Sequence, residues 1–572
     1  MTTITDSTGE GTAGEPSALA PFRRDPYPPG NLTAVPHADQ SHQAQGDPGH
    51  VPGPPRPSQV RPKPLTELAE QLGTAVPSPG KSATGITHDS RAVRPGDVYA
   101  ALPGARFHGA DFAAQAAERG AVAVLTDPAG RQRAAATGLP VLVVDEPRAR
   151  MGALAAAIYD EPGHDLLQIG ITGTSGKTTT AYLVEGGLRA AHGEHTGLIG
   201  TVESRIGDER IKSERTTPEA TDLQALFAVM RERGVRSVAM EVSSHALVLG
   251  RVDGAVFDIA VFTNLSPEHM EFHSDMEDYF QAKAQLFTPV RSRAGVVNLD
   301  DEYGRRLLKE ATVPVVSFSA EGHPDADWRA EDVTVGPLGS TFTVVGPKDE
   351  RVSATAPLPG PFNVANSLAA ITALVAAGID PQTAADGVAA VPGVPGRLER
   401  VDEGQGYLAV VDYAHKTDAV ESVLRALRKV TEGRIHVVLG CGGDRDQQKR
   451  GPMGAACARL ADTAVLTSDN PRSEDPLAIL AAMLAGAAEV PAHERGHVTV
   501  EPDRAAAIAA AVAVAEPGDT VLVAGKGHEQ GQDIAGVVRP FDDREVLRTA
   551  IRNAALRKAE TPLTQAKDQD QQ

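Results

Sequence analysis

Cysteine is almost missing from this chain: Cys441 and Cys457 are the only two among 572 residues. Two thiols cannot make a disulfide framework, so a reducing compartment is expected. Long apolar runs are missing too. No stretch reaches the roughly 18 residues of a membrane span, and the alanine-rich run 505–515 is too short and too weakly apolar. No basic start leads into an apolar core, so a signal peptide is not expected. These readings place the protein in the cytoplasm, with no membrane partner. Positive charge is scarce as well, with 55 Lys and Arg against 75 Asp and Glu, a net of −20. No global positive field exists to neutralise a phosphate backbone, which argues against nucleic acid as a partner. Anionic substrates would have to meet local cations.

What is present suits a globular protein of about three to four domains. Hydrophobic content is 41% and charged content 23%, enough to bury several cores. Residues 1–60 are rich in Pro, Gly, His, Ser and Thr without a hydrophobic period, and read as a disordered extension. Its His37, His42 and His50 are scattered and point to no metal site. A small α/β domain is expected over 61–165. Leu65, Leu68 and Leu72 sit at helical spacing, a helix is predicted over 111–119, and strands fall at 98–102, 121–125 and 140–144. Asp89-Ser90-Arg91, taken alone, is a turn with a solvated arginine.

The stretch that organises the rest begins at residue 166. Leu166, Leu167, Ile169 and Ile171 make a buried-strand run, Gly173 opens a tight turn, and Gly176-Lys177-Thr178 leads into a helical pattern. Strand, glycine loop, Lys-Thr and helix in that order suit a nucleoside triphosphate. Backbone N–H groups wrap the phosphates, the lysine reaches the outer ones, and the threonine hydroxyl meets Mg2+. The loop is two residues shorter between its glycines than the common form. The strand before it and the helix after it favour a family with a shortened loop over a chance turn.

A central domain over 166–393 repeats one habit. Strands near 237–240, 256–262 and 295–297 end in Glu241-Val-Ser243-Ser244-His245, Thr263-Asn264-Leu265-Ser266 and Asn298-Leu-Asp300-Asp301. Polar strand ends on one edge mark the ligand side of an open parallel sheet. Glu268–His273 invites a zinc reading, yet it is not His-Glu-x-x-His and would leave the glycine loop unexplained. Glu241 and a histidine of 269–273 are better placed near Mg2+. Lys283, on pattern alone, is a snorkelling surface lysine.

Val394–Glu399 reads as a hinge into a last domain over 394–558, followed by a polar tail, 559–572, expected to fray. Strands at 408–411, 435–439, 464–466 and 521–524 end in Asp412-Tyr413-Ala414-His415, Gly440–Asp446, Asp469-Asn470-Pro471-Arg472 and Gly525-Lys526-Gly527-His528-Glu529. Arg445, Arg450 and Arg472 beside Asp469 and Glu529 suit a zwitterionic amino acid. One domain for ATP and one for an amino acid suggest ATP-driven joining of a carboxylate to an amine through an acyl phosphate.

These motifs together resemble the Mur ligase family over nearly all of 64–556. TGTSGKTTT resembles its shortened ATP loop. EVSSHAL, FTNLSPEHMEFH, VVDYAH, GCGGDRD, DNPR and GKGHE resemble its diaminopimelate-adding members. The resemblance implies a three-domain α/β architecture: a small N-terminal domain, a central P-loop ATPase-like domain and a C-terminal Rossmann-like domain. It implies ADP-forming addition of diaminopimelate to UDP-N-acetylmuramoyl-L-alanyl-D-glutamate in peptidoglycan synthesis, by a monomer. Gly173, Thr174, Ser175, Gly176, Lys177, Thr178, Thr179, Asp412 and His415 would then meet ATP. Ser90, Thr216, Thr217, Ser243 and Arg251 would hold the UDP-sugar peptide. Arg445, Asp469, Asn470, Pro471, Arg472, Gly525 and Glu529 would hold diaminopimelate, with Arg472 gripping its distal carboxylate. Lys177, Glu241, His269 and Lys283 would be catalytic. Lys283, as a carbamate, would join Thr178, Glu241 and His269 as a magnesium ligand, which displaces the snorkelling reading.

One departure from the family stands beside the motif. Lys416-Thr417 follows His415 where the family usually has Thr-Pro, so a basic residue faces either the nucleotide or solvent. The rival readings are a folylpolyglutamate synthetase-like ligase, which should lack the DNPR and GKGHE pair, and a non-catalytic ATP-binding regulator, which needs no second substrate site.

Overall fold

The computed structural model describes residues 55–75 and 80–569. His37, His42, His50 and the extension up to residue 54 lie outside the described residues. The last residues of the expected extension are packed instead: Arg56 donates to the Tyr159 hydroxyl at 2.9 Å and pairs with the buried Asp97.

Aliphatic and β-branched runs bounded by glycine build three open sheets. The first has four parallel strands, Gly85–Thr87, Asp97–Ala101, Ala123–Thr126 and Val141–Val143, side by side in chain order. The helix expected over 111–119 is in two pieces, a 3-10 turn Gly109–Phe112 and an α-helix Ala113–Glu118. His108 caps the start of the 3-10 turn, its ring accepting from the Ala110 N–H. Ala220, Ala225 and Ala228 of helix Ala220–Glu232 pack into the core of this sheet, so the next domain closes one of its faces.

The middle sheet has eleven strands. In its parallel heart, Leu167–Thr172 lies between Ser237–Glu241 on one side and Phe257–Phe262 on the other. The chain leaves Leu167–Thr172 toward Thr196–Ile199 on the Ser237–Glu241 side and later returns on the opposite side. The glycine loop therefore sits where the strand order reverses, the place where open α/β sheets bind ligands. Helices Lys177–His192 and Pro361–Ala376 cover one face, and Ala220–Glu232 the other. Each observed strand ends within a residue or two of the polar segment read from the sequence, because parallel strands buried on both faces are continuous apolar runs.

The last sheet adds five parallel strands to an antiparallel edge, Glu399–Arg400. Leu408–Asp412 pairs with Thr520–Ala524, which pairs with Ile435–Cys441, then Thr463–Ser468 and His497–Val500. Apolar clusters fill both of its faces. A hairpin, Gly531–Ile534 with Val537–Pro540, follows the Gly525–Glu529 loop. The backbone of the final helix runs Asp543–Gln569, through the segment expected to fray. Among the described residues no helix is long and apolar enough to cross a membrane.

Candidate functional site

The glycine loop is held open by its own backbone. Gly173 and Gly176 have φ of 148° and 87°, and a Cβ at either would meet Thr263 Oγ1 at 1.9 Å or Asn366 Oδ1 at 2.4 Å. Only glycine fits both the conformation and the space. The end of strand Phe257–Phe262 pins the loop. Asn264 O accepts from Thr174 N at 2.9 Å, Asn264 Oδ1 from Ser175 N at 2.9 Å, and Thr263 Oγ1 donates to Ser175 O at 2.7 Å.

Lys177 opens the helix, and its Nζ donates to Gly173 O at 2.8 Å and Thr174 O at 2.9 Å. Burial pushes this ammonium down to about 8; Glu241 works against that and Arg397 with it. Thr178 Oγ1 donates to Glu241 Oε2 at 2.9 Å, and the buried Glu241 also accepts from Thr201 N at 2.7 Å. Two hard oxygens side by side at the phosphate end of a helix fit Mg2+. Thr179 is buried one residue further into the helix.

His269 has φ of 59°, and its imidazole faces Glu268 at 3.2 Å and Glu271 at 3.4 Å. Among the described residues no group of three His, Cys, Asp or Glu side chains is arranged to hold a metal. Thr178 and Glu241 are the pair already in contact there, and the His269 ring rests on Glu268 and Glu271.

Lys283 is 1% exposed, so it does not snorkel. Its Nζ donates to Gly173 O at 2.9 Å and lies 4.6 Å from the Tyr279 ring centre. Burial, with Lys177 alongside, holds this amine well below the ordinary lysine range. A neutral amine is the form that reacts with carbon dioxide, so the setting fits a carbamate.

The last domain reaches into this loop. Arg397, in the hinge, stacks over the Tyr413 ring at 4.5 Å, and its Nη2 donates to Thr178 Oγ1 at 3.3 Å. Reading the sequence assigned Arg397 only to a hinge; it lies 219 residues from Thr178, and no local pattern links them. Lys416, at a partly exposed site, pairs with Glu268 of the middle domain across the hinge. Asp412 accepts from Leu398 N and Ala414 N, both at 2.7 Å, so its carboxylate fastens the hinge. His415 Nδ1 lies 2.8 Å from Tyr413 O, and Lys449 donates to His415 O at 2.8 Å.

Between the first and middle sheets a cleft of about 880 Å³ is lined by Ser90, Tyr99, Phe107, Gln115, Arg215 and Asp222, among others. Ser90 Oγ donates to Gln115 Oε1 at 2.7 Å, and Arg91 is paired with Asp89. Further along, Thr216 and Thr201 share a hydroxyl contact at 3.0 Å, and Thr217 Oγ1 donates to Glu241 O at 2.9 Å. Ser243 caps helix Ser244–Val248, and Arg251 pairs with Glu219 at 2.9 Å.

On the last sheet, the segments at 440–446, 469–474 and 525–534 meet. Asn470 Nδ2 donates to Glu529 Oε2 at 2.8 Å, and Gly443 N to Asn470 O at 2.9 Å. A Cβ on Gly525 would stand 2.9 Å from Asp469 Oδ2. Pro471 leads into Arg472, whose φ of 53° is held by backbone bonds to Asp533 O and from Ala535 N, and whose Nη1 donates to Gly443 O at 2.6 Å. Strain of this kind persists where the surroundings fix it. Gly442 stands between Arg445 and Arg472, since its Cβ would lie 3.0 Å from Arg472 Nη1 and 3.9 Å from Arg445 Cγ. Arg450, expected at this edge, is buried and committed to Glu474 at 2.8 Å. Lys526, Gln532 and Asp533, to which the sequence alone gives no role, all bond to Asp469 or Asn470.

The chain matches the Mur ligase middle domain over residues 171–374, the Mur ligase glutamate ligase domain over 396–527, and the Mur ligase family catalytic domain over 82–159. It is 82% identical over 501 residues to the UDP-N-acetylmuramoyl-L-alanyl-D-glutamate–2,6-diaminopimelate ligase of Streptomyces coelicolor, covering 88% of this chain and 99% of that protein. The Corynebacterium glutamicum protein of the same name is 50% identical, over 79% of this chain and 89% of that one. A solved structure of a UDP-N-acetylmuramoyl-L-alanyl-D-glutamate–2,6-diaminopimelate ligase superposes with a TM-score of 0.63 at 31% identity, covering 86% of this chain and 99% of the other. A Mycobacterium tuberculosis folylpolyglutamate synthase shares the fold at 18% identity and a TM-score of 0.52, over 66% of this chain and 92% of its own. With three sheets, a shortened phosphate loop and relatives matched along nearly their whole length, this chain belongs to the Mur ligase family.

Proposed function

We propose that this protein adds diaminopimelate to the D-glutamate of UDP-N-acetylmuramoyl-L-alanyl-D-glutamate, with ATP converted to ADP and phosphate. The observation that carries the reading is the meeting of the segments that bear Arg472, Asn470 and Glu529 at one sheet edge, on a domain whose hinge arginine touches the ATP loop. The names of relatives up to 82% identical agree with it.

In the reaction, a carboxylate oxygen of the glutamate attacks the γ-phosphorus and the bond to the ADP oxygen breaks, leaving an acyl phosphate. The amine of diaminopimelate then attacks the acyl carbon, phosphate leaves, and the amine gives up a proton. Lys177 and Arg397 meet the negative charge of the transferring group, and the N–H groups around Gly176 orient it. Thr178, Glu241, His269 and Lys283 once carboxylated would hold magnesium, which would supply charge neutralisation at the phosphates. Ser90 and the cleft around it hold the uridine end, while Thr216, Thr217, Ser243 and Arg251 lie between that cleft and Glu241. Closing the last domain on the hinge excludes water from the acyl phosphate.

A folylpolyglutamate synthetase-like reaction gains no support from the arginine pocket, because such a substrate has no need of the DNPR and GKGHE segments. Phosphate release that requires both the UDP-muramoyl dipeptide and diaminopimelate tests the proposal. Release with either one alone would contradict it.

A further inference from the structure

Lys526 is among the most completely enclosed side chains in the protein, at 0% exposure. A buried ammonium must be matched by acceptors, or its desolvation is not offset. Lys526 has three donors and three acceptors within reach: Asn470 Oδ1 at 2.9 Å, Glu529 Oε2 at 3.2 Å and Asp469 Oδ1 at 3.4 Å. Glycines at 525 and 527, with φ of 112° and 54°, turn the backbone on either side of it.

These bonds decide which way the pocket faces. Asn470 Oδ1 also accepts from Asp533 N at 3.0 Å, so its oxygen is used twice by the protein. The amide must then present its nitrogen upward. One N–H goes to Glu529 Oε2 at 2.8 Å, and the second is left for a ligand. The protein's bonds to Glu529 fall on Oε2, which leaves Oε1 as the acceptor for a ligand. An N–H of Asn470 beside the Arg472 guanidinium suits a carboxylate, and Glu529 Oε1 suits an ammonium.

We infer that Lys526 is a positioning residue that fixes Asn470 as donor and Glu529 as acceptor, so that the pocket reads the carboxylate and ammonium of an amino-acid terminus in one orientation. This rests on the functional proposal above and deepens it. Without the ammonium, only the Asp533 N–H still holds the Asn470 oxygen inward, and an amide turned the other way would set an acceptor where a donor should meet a carboxylate.

The test uses the full-length enzyme, with ADP release measured against diaminopimelate, lysine and ATP in turn. K526M keeps the length of the side chain and removes its charge. K526Q, a polar neutral replacement, removes the charge as well and serves where K526M fails to fold. For a variant with a native melting transition, the KM for diaminopimelate should rise at least tenfold while the KM for ATP stays within threefold. Its preference for diaminopimelate over lysine should fall by a similar factor. Two results would overturn the inference: an unchanged amino-acid KM and preference, or a general loss of kcat with the preference intact. Wild-type protein inert toward diaminopimelate would instead overturn the functional reading itself.

Discussion

Lys177 and Lys283 converge on one atom, with their Nζ atoms 2.8 and 2.9 Å from the Gly173 carbonyl oxygen. Two ammonium groups sharing one acceptor repel each other, and the more deeply buried Lys283 is the one held well below its ordinary range. Lys283 is therefore expected to be carboxylated in the working enzyme. Activity should fall in buffer stripped of carbon dioxide and return with bicarbonate, and a labelled carbamate carbon should appear by NMR. Replacing Lys283 with alanine should lower kcat by ~10²–10³, the usual loss when one charge-stabilising group is removed. Full activity without carbon dioxide would count against the carbamate.

Arg397 carries a second expectation. Its guanidinium joins Tyr413 of the last domain to Thr178 of the ATP loop. R397A should lower kcat by about a hundredfold and raise the KM for ATP, with the KM for diaminopimelate little changed. Steady-state kinetics with each substrate varied in turn distinguishes this from a general loss of fold.

The pair Lys416–Glu268 bridges the same two domains at a partly exposed site, with side chains 34% and 12% exposed. Exposed pairs contribute little, so the coupling should be ~0.5–1 kcal/mol in a double-mutant cycle of K416A and E268A. Read on ATP affinity, it should appear as a less-than-additive loss. Strict additivity would mean that the two side chains act independently.

His528 is expected to make the protein acid-sensitive in a defined window. Burial, with Arg397 and Arg544 nearby, pushes its imidazole down to about 4. The unfolded chain then binds a proton below about 6.5 that the native state refuses down to about 4, so stability rises with pH across that interval. As pH falls from 6.5 toward 4, wild type should lose stability relative to H528Q. Urea unfolding of both proteins at pH 7 and pH 5 measures the difference. A gap that does not change with pH would show that His528 is not buried in its neutral form.

Much of this molecule was legible in the sequence because parallel strands announce themselves as apolar runs that stop at polar residues. Leu167–Thr172, Ser237–Glu241 and Thr463–Ser468 each fall where the run ends, and the glycine loop follows from Gly173 and Gly176. Contacts between distant segments were not legible. Arg397 on Thr178, Lys526 under Asn470 and the hairpin Gly531–Pro540 against Arg472 depend on how sheets dock, and no periodicity encodes that. Charge alone also misled: Arg450 has the residue type for a ligand arginine, yet Glu474 takes it. The apparent surface lysine at 283 is buried because its helix, Met276–Ala284, turns that face toward the glycine loop.

An amino acid whose carboxylate is held by Arg472 on the last sheet is expected to bring its amine to triphosphate chemistry on the middle one. The most direct test is ADP release by wild type and R472A, with the UDP-muramoyl dipeptide saturating and diaminopimelate or lysine as the amine. Wild type should turn over with diaminopimelate and hardly with lysine, and R472A should lose ~10²-fold or more in kcat/KM for diaminopimelate, with the preference largely erased. Unchanged turnover and unchanged selectivity in a folded R472A would contradict the account.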